Sequence, residues 1–126
     1  MKLRIKGNSI RLRLLRSEVE RIAAAGIVSE EVRFATNIDQ VLRYSIAVSD
    51  GVEAVTVQFT DNHILVLLPE STAMEWTQGS VTSLEAKIEI DETDTLCVLI
   101  EKDFACLERP DDPDRADAFP HPKAEC

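Results

Sequence analysis

The clearest pattern in the chain is the alternation of apolar and polar residues at period two, which is typical of β-strands with one buried face. Residues 2–14 alternate in this way, and the segment 7–9 has the composition of a turn. With the tip of that turn at residues 8 and 9, Ile5 pairs with Leu12 and Leu3 pairs with Leu14. The start of the chain is therefore predicted to form a β-hairpin.

The middle of the chain carries the strongest turn signal, Asp50-Gly51, because both positions tolerate a positive φ. A two-residue turn there predicts a second hairpin and fixes its register. Its apolar face would contain three cross-strand pairs, which are Ile46 with Val55, Tyr44 with Val57 and Leu42 with Phe59.

A further turn at Asp61-Asn62 extends the predicted meander and sets Phe59 opposite Ile64. In the returning strand, Leu65 and Leu67 point away from the face that Ile64 occupies. Apolar side chains on both faces indicate a strand that is covered twice, by a second layer or by a partner.

Two short helices are predicted from their end signals. The spacing S-x-x-E at residues 17–20 and T-x-x-E at residues 72–75 is that of a capping box. Gly26 and Gly79 are well placed to end the two helices. Residues 30–35 are a weaker strand candidate.

The last pattern is a hairpin with strands over residues 84–90 and 96–100 and a loop at residues 91–94. The return strand is apolar throughout, so we expect it to be central. No internal repeat is visible. The sequence thus predicts an α+β fold, a mostly antiparallel, curved β-sheet or small barrel of about seven strands with two short helices.

The composition fits one β-rich domain over residues 1–107, followed by an acidic, proline-rich tail over residues 108–126 that docks on the domain or lies free. Apolar residues make up 44% of the 126, enough for a core. The net charge of −9 opposes binding to nucleic acid and to anionic membranes. No secretion or membrane segment is visible, and three cysteines favour reduced thiols, so we expect a cytoplasmic protein.

The most unusual feature is the charge of the first hairpin. Six of the fourteen Lys and Arg residues lie in the first sixteen positions, with no acid among them. Like charges opposite each other destabilise a sheet, so an anionic group is expected on that face. The candidate anion-binding residues are Lys2, Arg4, Lys6, Arg11 and Arg13.

Two explanations of this basic face are open. The first is internal, with the acids supplied by Glu85 and Glu89 or by the tail at positions 111, 112 and 114. The second is an external anion, either a phosphate ligand or a nucleic-acid backbone. The hairpin has no aromatic residue on which bases could stack, which argues against nucleic acid.

Two weaker sites involve the end of the chain. Cys106, His121 and Cys126 are ligand types that zinc accepts, but their spacing matches no zinc motif, so we assign no cofactor. Phe119 lies in the polar tail between prolines and could anchor it in a surface pocket. Together with Leu65 and Leu67, it is the candidate interface.

The chain resembles a family of short, uncharacterised bacterial proteins. The resemblance rests on the opening MKLRIKGNSIRLRL, the helix segment SEVE, the late run EKDFACL and the tail motif AFPHP, and it covers nearly the whole chain. It implies a bacterial origin, a single β-rich domain and a cytosolic setting. It implies no activity, cofactor or partner.

Three functions follow from these features. The first is a non-enzymatic interaction module that binds itself or another protein through the apolar strand or the basic hairpin. The second is a small anion- or metal-dependent enzyme that uses the hairpin and the Cys, His and acidic residues of the tail. The third is nucleic-acid binding through the hairpin. No motif for nucleophilic catalysis or phosphate binding is present.

Overall fold

The described chain folds into two four-stranded β-sheets and two α-helices. The computed structural model describes residues 1–104, 117, 119 and 120. Sheet A has the order β1 (Lys2–Lys6), β2 (Ser9–Leu14), β8 (Thr95–Lys102), β7 (Ser83–Glu89). Sheet B has the order β3 (Ile27–Arg33), β4 (Val41–Ser49), β6 (His63–Pro69), β5 (Thr56–Thr60). The helices are α1 (Arg16–Ala25) and α2 (Glu70–Gln78), and a 3₁₀ turn at Ile38–Gln40 precedes β4.

The α+β class and the two helices are confirmed, with eight strands in two mixed sheets. The predicted curved sheet or small barrel of about seven strands is supported only in part, because the described strands form two four-stranded sheets and no closed barrel. The mostly antiparallel pattern is also incomplete. Each sheet has a parallel pair at its centre, β2 with β8 and β4 with β6.

The predicted hairpin at Asp50-Gly51 is wrong. A turn does form there, but β4 and β5 are not partners: Ile46 pairs with Val28 and with Val66. The chain leaves β4 through residues 50–55 and enters β5, which pairs with β6. The local turn signal was correct, and the inferred strand pairing was not, because sheet B places β6 between β4 and β5.

The three other predicted hairpins are present. The turn at Asp61-Asn62 sets Phe59 opposite Ile64, and β8 lies between β2 and β7, both as predicted. In the first hairpin the strands are correct but the register is wrong by two residues, since Ile5 pairs with Ile10 rather than with Leu12. The turn lies at residues 7 and 8, where Gly7 takes the left-handed conformation with φ 54°.

The two halves of the chain have the same topology, a repeat that the sequence did not reveal. Leu12 pairs with Leu3 and with Ile100, and Val66, 54 positions further along, pairs with Val57 and with Ile46. The correspondence extends to every strand: β1 to β5, β2 to β6, β3 to β7 and β4 to β8. Each half is a ββαββ unit, and each sheet takes one hairpin from each half.

The core is one cluster of buried side chains to which both sheets and both helices contribute. Trp76 of α2 is fully buried, and its Nε1 donates to the carbonyl oxygen of Thr82 at 3.3 Å. Its counterpart in α1, Ile22, is 1% exposed. The fully buried strand residues also fall at corresponding positions, namely Leu12 with Val66, Leu14 with Leu68, and Ile46 with Ile100.

The helix ends follow the sequence in part. Gly26 ends α1 in the left-handed conformation, with φ 79°. Gly79 ends α2 because a Cβ at that position would lie 2.5 Å from the carbonyl oxygen of Glu75. The start of α1 differs from the prediction, since Glu18 rather than Ser17 provides the cap: its Oε1 accepts from the backbone nitrogen of Leu15 at 2.8 Å.

Among the described residues, no helix has the length and apolar character needed to cross a membrane.

The repeat predicts equal costs at corresponding core positions. Ile46→Ala and Ile100→Ala should each lower the free energy of unfolding by about 3 kcal/mol, because both remove a fully buried side chain. Ile38→Ala, at a position 93% exposed, should change it by less than about 0.5 kcal/mol. Urea unfolding followed by circular dichroism measures all three. If Ile46→Ala or Ile100→Ala were as stable as Ile38→Ala, the claim that both halves contribute to one core would be contradicted.

Candidate functional site

The basic residues of the first hairpin lie on the outer face of sheet A. Lys2, Arg4 and Lys6 alternate along β1 with residues that face the core, and Arg11 and Arg13 do the same along β2. The register places Arg4 opposite Arg11 and Lys2 opposite Arg13. Like charges thus face each other across the hairpin, as predicted. We call this surface the basic face.

Acids from β8 and from the residue after it supply part of the balancing charge. Oε1 of Glu101 lies 2.6 Å from Nε of Arg13 and 3.6 Å from Nε of Arg11. Nζ of Lys2 lies 3.2 Å from Oδ2 of Asp103. The trio of Arg11, Arg13 and Glu101 therefore has two positive charges and one negative charge.

The sequence had predicted that other acidic residues would balance the charge of the basic face. Glu85 lies on β7, opposite Leu99 of β8. The strand β8 therefore separates Glu85 from β2. Glu89 pairs with Thr95, near the far end of the same hairpin. The tail acids at positions 111, 112 and 114 lie outside the described residues. Glu101 was missed because the parallel pairing of β2 with β8, which sets it beside Arg13, has no local sequence signal.

The basic face contains a small depression. Its cavity volume is about 190 Å³, and it is lined by Lys2, Leu3, Arg4, Arg11 and Arg13. Arg4 and Lys6 also take part in interactions within the chain. Four of the five lining residues are cationic, so a group that enters this depression meets positive charge from both strands.

The second half of the chain shows which features of this hairpin the fold requires. The hairpin of β5 and β6 has the same strand pairing and the same loop length. In place of Lys2, Arg4, Lys6, Arg11 and Arg13 it has Thr56, Gln58, Thr60, Leu65 and Leu67. The backbone arrangement therefore forms without any of the five positive charges.

Edge protection explains only part of the basic face. Charged side chains on an edge strand discourage pairing with another chain, and β1 is an edge strand. Arg11 and Arg13 lie on β2, an interior strand of sheet A, where no such protection is needed. Their positive charge requires another explanation.

The structure does not test the proposed metal site, because Cys106, His121 and Cys126 lie outside the described residues. Within the described residues there is no group of three or more potential metal ligands, and Cys97 is a free, half-buried thiol. Leu65 and Leu67 are half-buried on the outer face of sheet B, beside Ser45. Phe119 is 96% exposed.

A buried charge cluster ties β1 to α1 and β3, and the sequence reasoning missed it. The α-ammonium group of Met1 pairs with the buried carboxylate of Glu18 and, at 2.6 Å, with Oε1 of Glu30. The hydroxyl of Tyr44 donates to Oε2 of Glu30 at 3.2 Å. These residues are distant in sequence, so only the tertiary structure reveals them.

This cluster shifts three pKa values. Burial lowers the pKa of the Met1 ammonium, but its bonds and charge interactions with Glu18 and Glu30 outweigh that effect and raise it. The hydrogen bond from the ammonium lowers the pKa of Glu30. Burial and the charge of Glu30 raise the pKa of Tyr44. At the corresponding positions of the second half stand Val55, Thr72, Ala86 and Val98, none of which is charged.

A second polar group lies on the outer face of sheet B. Oγ of Ser45, which is fully buried, lies 2.7 Å from Nε2 of His63 and 2.6 Å from Oγ of Ser29. His63 begins β6 and is half-buried. These bonds satisfy a hydroxyl that would otherwise be buried without a partner.

Another cavity, with a volume of about 370 Å³, lies among the described residues where β2 and β8 end beside the two helices. Its lining mixes bases, acids and apolar groups and favours no single class of ligand. The residues that line it are Leu14, Arg16, Val19, Glu20, Thr77, Lys102, Asp103 and Phe104.

The fold and these surfaces define an α+β protein of two interlocked ββαββ units, with positive charge concentrated on the outer face of one sheet. A family model, described as a family of unknown function (DUF7009), matches residues 1–123. The chain belongs to this family. No curated protein and no solved structure matches the chain.

The buried charge cluster makes stability depend on pH in both directions. Glu30 has a lowered pKa, so its contribution is present above its unfolded pKa and is lost as the pH falls through the folded value. The Met1 ammonium has a raised pKa, so its contribution is present below its unfolded value of 8.0 and is lost as the pH rises through the folded one.

Glu18→Gln should lower the free energy of unfolding by roughly 3 kcal/mol at neutral pH, because it removes one partner of a buried ion pair. The alkaline loss of stability should also become smaller. Urea unfolding between about pH 6 and about pH 10, which brackets the titration of the ammonium, tests both effects. Glu20→Gln, on the exposed side of α1, is the matched control. If Glu18→Gln lost as much stability at alkaline pH as the unaltered chain does, the ion pair between Met1 and Glu18 would not be the source of that loss.

Proposed function

We propose that this protein is a non-enzymatic binding module whose basic face holds an acidic segment of a partner protein. The observation that carries the proposal is the difference between the two equivalent hairpins. Five cations occupy the first, and neutral residues occupy the same five positions of the second. Since the fold forms the second hairpin without charge, the fold alone does not require the charge of the first.

The electrostatics of the basic face support this proposal. Arg11 and Arg13 share the single carboxylate of Glu101, so an incoming carboxylate gains attraction from two guanidinium groups. The depression between Lys2, Arg4, Arg11 and Arg13 offers room for one such group. Planar guanidinium groups suit carboxylates especially well, because they can donate two parallel hydrogen bonds.

The spacing of the cations favours an extended polypeptide. Lys2, Arg4 and Lys6 occupy alternate positions of β1, so successive charges are separated by about 7 Å. An extended chain with acids at alternate positions repeats at the same distance. A segment laid along β1 would thus meet one cation with each acidic side chain.

A nucleic acid fits this face less well. The basic face has no aromatic side chain for base stacking, and the net charge of −9 repels a long polyanion. A short acidic segment carries fewer charges and meets less of this repulsion. We place the binding in the bacterial cytoplasm, which keeps the thiols of a chain with three cysteines reduced.

A β1 variant tests the proposal with a defined probe. Lys2→Thr, Arg4→Gln and Lys6→Thr together copy the uncharged β5 and leave the pairing of Arg11 and Arg13 with Glu101 intact. The probe is a fluorescein-labelled peptide with glutamate at alternate positions, followed by fluorescence anisotropy at low salt. The triple variant should bind it about tenfold more weakly, because three ion pairs of about 0.5 kcal/mol each are lost.

The matched control is a second triple variant that also removes three positive charges, but from exposed positions outside the basic face. Its substitutions are Arg16→Gln, Arg21→Gln and Arg33→Gln. It should bind the peptide nearly as well as the unaltered chain does. The proposal would be contradicted if the two triple variants lost equal affinity for the peptide, or if the unaltered chain did not bind it. Tighter binding of a thymidine oligonucleotide than of the peptide would instead favour the nucleic-acid alternative.

A further inference from the structure

The outer edge of sheet B ends in a strand with no electrostatic protection. An edge strand presents unpaired backbone groups, which form a template for pairing with another chain. Charged side chains are a common protection. Three of the four edge strands in the described sheets have three charged residues each, namely β1, β3 and β7. The fourth, β5, has the sequence TVQFT and carries none.

The strand β5 also exposes a large apolar side chain. Phe59 is 65% exposed, although it points to the same side of sheet B as the buried Val66 and Ile46. Val57, two residues earlier, shares that side and is half-buried. The edge therefore combines free backbone groups with apolar surface, a combination that favours association.

We propose that two copies of this chain pair through their β5 strands about a two-fold axis that passes beside Gln58. The two strands would run antiparallel and join their sheets B into one eight-stranded sheet. In this register Gln58 lies opposite the partner copy's Gln58, Val57 opposite Phe59, and Thr56 opposite Thr60. The dimer surface is independent of the basic face, which lies on sheet A.

The sequence of β5 is self-complementary in this register. A β-branched residue opposite an aromatic one, and threonine opposite threonine, are both stabilising cross-strand pairs. The two-fold axis produces each of them twice. The register also keeps each face of the joined sheet consistent. Val57 and Phe59 of both copies lie on the inner side, and Thr56, Gln58 and Thr60 lie on the outer side.

The equivalent strand of the first half could not form the same pairing. In β1, the residues that correspond to Thr56, Gln58 and Thr60 are Lys2, Arg4 and Lys6. The same two-fold operation would place Arg4 opposite Arg4 and Lys2 opposite Lys6, so like charges would repel. The repeated fold therefore has one open edge and one protected edge at corresponding positions, which limits assembly to a closed dimer.

Association through β5 should be weak and dependent on concentration. Pairing of two five-residue strands buries less surface than a standard protein interface, so the dimer belongs with transient complexes. We expect a monomer at low concentration that converts to a dimer as the concentration rises. Sedimentation velocity from about 10 µM to about 500 µM covers this range.

Gln58→Arg is the decisive variant, because it places like charges opposite each other at the two-fold axis. Its first-half counterpart is Arg4, so the hairpin accommodates arginine at this position. The variant should remain folded by circular dichroism and stay monomeric at every concentration. Gln58→Thr, which keeps the edge neutral, should dimerise like the unaltered chain.

Two results would overturn the proposal. One is an unaltered chain that stays monomeric throughout the concentration range. The other is a Gln58→Arg variant that dimerises as well as Gln58→Thr does. Hydrogen exchange supplies a second readout that does not depend on the variants: the backbone amides of β5 should exchange more slowly at high concentration, while those of β1 should not change.

Discussion

The structure depends on two parallel strand pairings, β2 with β8 in sheet A and β4 with β6 in sheet B. Each joins a strand of the first half to a strand of the second. The fully buried pairs Leu12 with Ile100 and Ile46 with Val66 lie on these strands, so neither half can complete its own core. The helix α1 lies between β2 and β3, and α2 lies between β6 and β7, so each helix belongs to a connection that carries the chain from one sheet to the other.

This interlocking separates the roles of the two sides of each sheet. Most inner positions are apolar in both halves because both halves contribute to one core. The outer positions are free to differ, and they do: the first hairpin carries five cations where the second carries hydroxyl, amide and leucine side chains. The same fold thus presents a hairpin with five cations on the outer face of sheet A and a hairpin with neutral residues at those positions and an open edge on sheet B.

Local patterns predicted what depends on local structure. Alternation and turn residues identified the hairpins β1–β2, β5–β6 and β7–β8, and the glycines at 26 and 79 marked the helix ends. The register of the first hairpin was wrong by two residues because a shift of two leaves every side chain on its own face. The period-two pattern therefore cannot distinguish the two registers.

Contacts between distant segments could not be predicted in this way. Asp50-Gly51 has the sequence of a tight hairpin, yet β4 takes β6 rather than β5 as its partner, and no residue near the turn signals that choice. The same limit applies to the candidate site. Alternation assigned Arg11 and Arg13 to one face, but their partner Glu101 comes from the last strand, and the Met1, Glu18 and Glu30 cluster joins three separate elements.

Nuclear Overhauser contacts between backbone protons test the interlocked topology most directly, because such contacts exist only between neighbouring strands. The account predicts cross-strand contacts between Leu12 and Ile100 and between Ile46 and Val66, in the pattern of parallel strands. Contacts between Ile46 and Val55, which an antiparallel hairpin at Asp50-Gly51 would produce, would contradict it.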